Sequence, residues 1–294
     1  MAYFDIAVIG GDRRNLSMAV YFLEKGYRVI CYGTQRFEEG MRHRNYACAA
    51  SLAQTIENAD IIVGGIPFEK NGIITSPEVL PDMYIEEMLN YMRTGKKIFG
   101  GLLTQEFCEN CAKAGACCFD FMRDETITIL NTVATAEGAI LEALQNKDTN
   151  IHNSNSLVLG YGRCGRVLCE KLKGMSANVS VCSRKREERA GAEVFGINTL
   201  DMKSLKRRIG EFEYIYNTIP AITLTGNTLK NVRKDVLIID IASAPGGVDY
   251  NAAKSMGIKA LHCLGLPGKC APRVSAEILG NYVIEKLMLS ERGI

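Results

Sequence analysis

The sequence predicts an α/β protein of two doubly wound domains, each a parallel sheet covered by helices on both faces. Three observations carry that expectation. Short apolar runs recur along the chain and alternate with segments of helical spacing, the pattern of strands buried on both faces. The series is interrupted once by a polar break and then begins again. With 294 residues and 47% hydrophobic content, the chain is large enough for one big core and, on length, more naturally for two.

The first run, "DIAVIGG", is followed by a helical pattern from Asn15 to Lys25 and then by "YRVICYG", the opening of a βαβ unit. "ADIIVGGIP" ends at Pro67, "KKIFGG" follows a helical segment, and "GACCFDFM" reads as another short buried strand. From Thr132 to Gln145, "TVATAEGAILEALQ" has helical spacing, with Ala134, Ile140, Leu141 and Leu144 able to share a face. The polar stretch "NKDTNIHNSNS" follows, which places the domain junction around this helix. Beyond it "LVLG", "NVSVCS", "YIYNTIP", "VLIIDIAS" and "KALHCLG" read as strands, and "PRVSAEILGNYVIEKLML" as a long amphipathic helix after Pro272.

A formal charge of +2, from 35 basic and 33 acidic residues, builds no field that favours nucleic acid or an anionic membrane over a small ligand. No continuous apolar run approaches the roughly 20 residues needed to span a bilayer. The start, "MAYFDIAVIGGD", has neither a basic n-region nor a cleavage site. A cytoplasmic protein without nucleic-acid or membrane partners is the expectation. The eleven cysteines are odd in number and Cys117 adjoins Cys118, so reduced thiols are expected. "CENC", Cys108 to Cys111, reads as a helix running into a strand, with small packed side chains and no metal.

Gly160, Gly162 and Gly165 form G-x-G-x-x-G directly after an apolar strand and directly before a helical pattern. The first permits a tight turn, the second lets backbone approach a diphosphate, and the third lets helix pack on strand. The helix N-terminus adds free N–H groups and a positive dipole. Tyr161, Arg163 and Cys164 lie inside the bend and join the cofactor-binding set, Cys164 as a space-filler. "VIGGD" at Gly10 and Gly11 lacks the third glycine and reads as a degenerate relative, used for packing or substrate. The architecture implied is two Rossmann-like domains with an interdomain cleft.

Where an adenosine ribose would meet an acid, this chain has Ser183, Arg184, Lys185 and Arg186. Cations and a hydroxyl there point to the 2′-phosphate of NADP, with NAD as the alternative if the turn is only a solvated basic one. "NTIP" ends the next strand, placing Thr218, Ile219 and Pro220 near the crevice for the nicotinamide half.

Several stretches together resemble the A-subunit family of dipicolinate synthases from spore-forming bacteria: "AVIGGDRRN", "FMRDETITILNTVATAEGAI", "VLGYGRCG", "NTIPA", "DIASAPGGVD" and "GLPGKCAPRVSA". They span nearly the whole chain in order. The resemblance implies a build related to D-2-hydroxyacid dehydrogenases and adenosylhomocysteine hydrolase, with the last helix returning to the first domain. The domains would then be residues 1–130 plus helix 275–294, for substrate and catalysis, and residues 131–274, for NAD(P). It also implies NAD(P)-linked oxidation of a dihydrodipicolinate-type precursor to dipicolinate in the mother cell during sporulation, alongside the B-subunit of dipicolinate synthase. Leu264 and Arg273 depart from the family's usual pattern at the "GLPG" loop.

A dicarboxylate substrate needs cationic or N–H partners, and arginine's planar fork suits it. Arg14 and Arg273 lead, with Lys269 third; the plain alternatives are a solvated helix start for Arg14 and an ion pair with Glu277 for Arg273. Thr135 and Glu137 are expected at a helix start, facing substrate or capping that helix. Ser243 in "ASAPGGVD" and Pro267 and Gly268 in "GLPG" lie on loops able to present backbone donors. Glu137, Lys269 and His262 are the candidate general bases, with no ground for choosing among them, and His43 reads as part of a surface run. Two rival readings remain open: a 2-hydroxyacid dehydrogenase-like enzyme using His262, and a non-catalytic regulatory protein that senses NADP. Assembly into a homo-oligomer is expected, as is common for parallel-sheet enzymes.

Overall fold

The computed structural model describes residues 3–34, 44–78 and 80–291. The chain divides into two compact units, Met1–Leu130 with Ala271–Ile294, and Asn131–Cys270.

The first unit runs β1 (Phe4–Ile9), α1 (Arg13–Glu24), β2 (Val29–Tyr32), β3 (Tyr46–Cys48), α2 (Leu52–Glu57), β4 (Ala59–Val63), the hairpin strands β5 (Glu69–Lys70) and β6 (Ile73–Ile74), α3 (Ile85–Leu89), β7 (Lys97–Gly100), α4 (Gln105–Lys113) and β8 (Cys117–Asp120). Helix α5 (Glu125–Asn146) starts in this unit and ends in the second. There follow β9 (Asn155–Leu159), α6 (Arg163–Gly174), β10 (Asn178–Cys182), α7 (Arg186–Val194), β11 (Asn198–Leu200), α8 (Met202–Arg208), β12 (Tyr214–Asn217), α9 (Gly226–Leu229), β13 (Leu237–Asp240), α10 (Tyr250–Ser255), β14 (Lys259–His262) and α11 (Leu266–Cys270). The last helix, α12 (Pro272–Glu291), belongs to the first unit.

Both main sheets are wholly parallel, in the orders β3-β2-β1-β4-β7-β8 and β11-β10-β9-β12-β13-β14. With the hairpin set aside, each is the 3-2-1-4-5-6 order of a dinucleotide-binding sheet, so the expected fold class of two Rossmann-like α/β domains is the one observed. Strand alternation distributes side chains between the faces. Tyr214 and Tyr216 of β12 enter the core cluster shared with α5 and α6, while Ile215 between them enters the opposite one. In β1, Ile6 and Val8 face the α1 and α12 side, and Ala7 and Ile9 the other.

Several elements differ from the sequence expectation. Helix α5 begins seven residues before Thr132, at Glu125, because Asp124 starts it: its Oδ1 accepts from the Ile127 N–H at 3.0 Å. Thr135 is therefore inside the helix and caps nothing; its hydroxyl donates to the Asn131 carbonyl one turn back, at 2.9 Å. At 22 residues, α5 is also long and apolar enough, by length and composition, to cross a membrane. Its Ala136, Ala139, Ile140 and Ala143 are instead core residues of the second unit. Strands β3 and β11, three residues each, and the β5–β6 hairpin were not expected, and "GLPGKC" forms α11 where a loop was expected.

Helix α12 lies against α1. A Cβ at Gly280 would sit 2.5 Å from the Tyr21 ring, so the missing side chain is what allows the close approach. The Tyr21 hydroxyl donates to Asn281 Oδ1, and Ala276, Leu279 and Val283 are buried with Met18 and Phe22. Burying aliphatic side chains of this size stabilises by roughly 1.5–3 kcal/mol each. Leu279→Ala should therefore cost about 2–5 kcal/mol, through lost transfer energy plus a cavity. Met288→Ala, at a position 53% exposed, should change stability by less than about 0.5 kcal/mol. Urea denaturation of the two variants measures the contrast.

Candidate functional site

The bend between β9 and α6 places each of its glycines for a different reason. Gly160 has φ +91°, and a Cβ there would lie 2.6 Å from Thr218 Oγ1. Thr218 holds the end of β9 with two donors to the Leu159 carbonyl, its N–H at 3.0 Å and its hydroxyl at 2.8 Å. Gly165 sits so close under the bend that a Cβ would lie 2.3 Å from the Gly160 carbonyl oxygen. Gly162 differs: a Cβ there would meet no atom within 4 Å. It occupies the N-cap of the twelve-residue α6 with no side chain to take up the first-turn N–H groups. An open backbone face and a helix N-terminus without a side-chain cap fit a bound diphosphate. Arg163 is exposed and Cys164 half-buried in the first turn of α6, and burial pushes the Cys164 thiol above its ordinary pKa. Tyr161 is buried, with the Arg166 guanidinium over its ring. Ile219 is half-buried and Pro220 exposed just past β12.

At the end of β10 the structure brings Ser183, Arg184 and Lys185 together but turns two of them toward an acid the sequence reading missed. The buried Ser183 hydroxyl donates to Glu188 Oε2 at 2.5 Å, and Lys185 Nζ lies 3.2 Å from Glu188 Oε1. Arg184 is exposed. Glu188 sits in the first turn of α7, and the clue was the acidic start of "REERAGAEV".

The corresponding bend of the first unit is filled by the chain itself. Gly11 N–H donates to the Thr75 carbonyl, and a Cβ at Gly10 or Gly11 would strike that carbonyl or the Asn15 side chain. The Phe68 ring lies 2.3 Å from where a Gly64 Cβ would be and 2.4 Å from that of Gly100. Of the two uses expected for "VIGGD", packing is the one visible here.

Arg14 is buried, and its guanidinium is engaged: Nε and Nη2 donate to Asp12 at 2.9 and 2.8 Å, and Nη2 also to the Ile66 carbonyl at 2.8 Å. Burial tends to raise the Asp12 carboxyl, but the hydrogen bonds and charge of Arg14 outweigh it and hold the group below its ordinary value. Arg273 is 81% exposed and paired with Glu277, Nε to Oε1 at 3.2 Å, so the plain alternative for this residue is the arrangement found. Arg273 and Glu277 share a shallow groove with Ser17, Val20, Tyr21 and Glu24 of α1; Arg14 does not line it.

Glu137 is exposed on α5 and accepts from Lys171 Nζ at 2.7 Å. Lys269 is exposed, Pro267 half-buried and Gly268 buried, all on α11. His43 lies outside the described residues. His262 Nε2 stands 3.0 Å from the Ala242 carbonyl, and the ring stacks on Tyr250 at 5.7 Å. A carbonyl only accepts, so Nε2 carries the proton and His262 pins the loop after β13.

That loop depends on a second acid missed in the sequence. Asp240 is fully buried and accepts from Asn217 Nδ2 at 2.8 Å, Ala242 N at 3.1 Å, Gly247 N at 2.7 Å and the Tyr250 hydroxyl at 2.8 Å. Burial, then the bond to Asp240, pushes the Tyr250 phenol well above its ordinary pKa, so it stays a donor. Ser243 is exposed on the same loop. A charged residue ending an apolar strand, "LIID", was the available clue.

Comparison with known proteins gives a consistent picture. The family model for the N-terminal domain of the dipicolinate synthase A-subunit matches residues 5–122. The dipicolinate synthase A-subunit of Bacillus subtilis is 30% identical over 286 residues, covering 96% of this chain and 95% of the relative. The crystal structure of that synthase's A chain superposes with a TM-score of 0.82 at 28% identity, covering 100% of this chain and 98% of the other. The A-subunit structure from Bacillus halodurans superposes with a TM-score of 0.84 at 26% identity, covering 96% and 97%. The apo D-lactate dehydrogenase of Escherichia coli shares the fold, with a TM-score of 0.63 at 13% identity over 98% of this chain and 97% of that one.

Two outcomes test the geometry. Gly165→Ala forces a backbone shift and should destabilise by about 2 kcal/mol or more, whereas Gly162→Ala should stay within about 1 kcal/mol, the scale of an N-cap change. Thermal melts of both decide it. The Asp12–Arg14 pair contributes stability above the unfolded carboxyl's pKa of about 4, lost as pH falls through the lower folded value. Stability of Asp12→Asn should therefore change less than that of the wild type on acidification below about pH 4, measured by melts across that range.

Proposed function

The chain belongs to the A-subunit family of dipicolinate synthases, and from that premise we propose that it oxidises a dihydrodipicolinate-type precursor to dipicolinate. The observation that carries the proposal is the Gly160–Gly165 bend, whose open face at Gly162 adjoins the N-terminus of α6. A nicotinamide dinucleotide bound there supplies a hydride acceptor. The diphosphate cradle suits NAD and NADP alike, since the two differ only at the adenosine ribose. Gly160, Tyr161, Gly162, Arg163, Cys164 and Gly165 hold the diphosphate in this reading, and Thr218, Ile219 and Pro220 lie toward the nicotinamide half.

Loss of one hydride and one proton makes the substrate ring aromatic, so much of the driving force belongs to the reaction itself. The protein's task is orientation. We assign the second unit to the cofactor and the first to substrate, with Arg14 as its cationic contact. Arg14 offers a ligand chiefly Nη1, because the described hydrogen bonds use Nε and Nη2. Within the second unit, the loop Ser243–Gly247, braced by Asp240 and His262, and Lys269 on α11 carry donors of their own. The B-subunit of dipicolinate synthase is the proposed partner, and the mother cell of a sporulating bacterium the proposed setting.

The test is a reaction with freshly generated dihydrodipicolinate and either nicotinamide cofactor, with and without the B-subunit. Formation of reduced nicotinamide and dipicolinate is expected. Cofactor binding without turnover under every condition would overturn the enzymatic reading in favour of a regulatory one. Gly162→Val should retain the fold and weaken dinucleotide binding at least about ten-fold, the equivalent of about 1.4 kcal/mol, measured by calorimetry.

A further inference from the structure

We infer that Glu188 is the specificity-determining residue of the dinucleotide site, holding the ribose 2′ position for a hydroxyl and against a phosphate. The inference rests on the reading of Gly160–Gly165 as that site.

In a sheet of this order the adenosine ribose lies between the glycine bend and the end of the neighbouring strand, where an acid takes the 2′-hydroxyl and an arginine takes a 2′-phosphate. In this chain those borders are Tyr161 and Ser183. Glu188 reaches the gap from α7: its carboxylate accepts from the Ser183 hydroxyl at 2.5 Å, and α7 packs against the Tyr161 side, where a Cβ at Gly191 would lie 3.8 Å from the Tyr161 ring. Lys185 Nζ completes the set at 3.2 Å. Burial tends to raise the Glu188 carboxyl, but these donors outweigh it and keep it below its ordinary value, so it is an anion at neutral pH.

Of the turn's cations, Lys185 is committed to Glu188, while Arg184 and Arg186 are exposed. Arg189 Nη1 donates to the carbonyls of Ser183 and Arg184 at 2.7 and 3.1 Å. A ribose hydroxyl is a donor that the resident carboxylate can accept where it stands. A 2′-phosphate would bring a second anion to the same donors and must first expel Glu188 from them. Geometry thus favours NAD over NADP, opposite to the sequence reading of Ser183, Arg184 and Lys185 alone. The competing account is structural: an acid in the first turn of α7 also stabilises that helix end.

Calorimetric titration of the full chain with NAD and with NADP separates the accounts. The wild type should bind NAD more tightly, and Glu188→Gln, of nearly the same shape, should shift the affinity ratio toward NADP at least about ten-fold, the scale of a charge-assisted hydrogen bond. Glu188→Asp, which keeps the charge and shortens the reach, should shift it less. A wild-type preference for NADP overturns the inference directly. So does an unchanged ratio in Glu188→Gln with only a lowered melting temperature, which is the helix-stabilising outcome. If the wild type binds neither cofactor, the dinucleotide reading itself falls.

Discussion

The contact between Gly165 and the carbonyl of Gly160 governs how the second unit presents a ligand-binding surface. Only a hydrogen at Gly165 fits there, since a Cβ would lie 2.3 Å from the carbonyl oxygen. That closeness seats α6 directly on the end of β9, and β9 is itself buried on both faces, with Val158 in one core cluster and Leu157 and Leu159 in the other. The bend therefore has no freedom to relax sideways. Thr218 finishes the lock from β12 by donating twice to the Leu159 carbonyl. With strand, bend and helix so tied, the N-terminus of α6 and the bare backbone of Gly162 face outward as a fixed pair.

The two sheets share one strand order but not one use of it. In the first, the β5–β6 hairpin brings the Thr75 carbonyl onto Gly11, and Phe68 fills the space beside Gly64 and Gly100. In the second, a Cβ at Gly162 would meet nothing within 4 Å. Topology creates the crevice at the carboxyl ends of the strands, and side chains decide whether it stays open.

Four of the charged residues that looked available for ligands already have partners: Arg14 with Asp12, Arg273 with Glu277, Glu137 with Lys171, and Lys185 with Glu188. Binding at any of them means exchanging one partner for another. The cost of exchange is smallest where the existing pair is most exposed. Arg14 is the opposite case, buried and doubly bonded to Asp12. It therefore shapes the Asp12–Ile66 region whether or not substrate uses its remaining nitrogen.

Most of the regular architecture was legible in the sequence. Apolar runs such as "AVI", "LVL" and "LIID" mark strands buried on both faces, and G-x-G-x-x-G marks a bend that only glycine permits, because both requirements act within a few neighbouring residues. The edge strands β3 and β11 escaped, being only three residues long, and so did the start of α5, set by one aspartate upstream of the apolar pattern. Tertiary structure alone decided which charges meet. Glu188 meets Ser183 and Lys185 only because α7 folds back toward the end of β10, and Asp240 collects donors from Asn217, Gly247 and Tyr250 only because two strand ends, a loop and the start of α10 come together. A hydrogen bond depends on position to within a few tenths of an ångström, whereas burial tolerates any apolar side chain of suitable size; local pattern therefore reveals the core, and only the folded backbone assigns the polar partners.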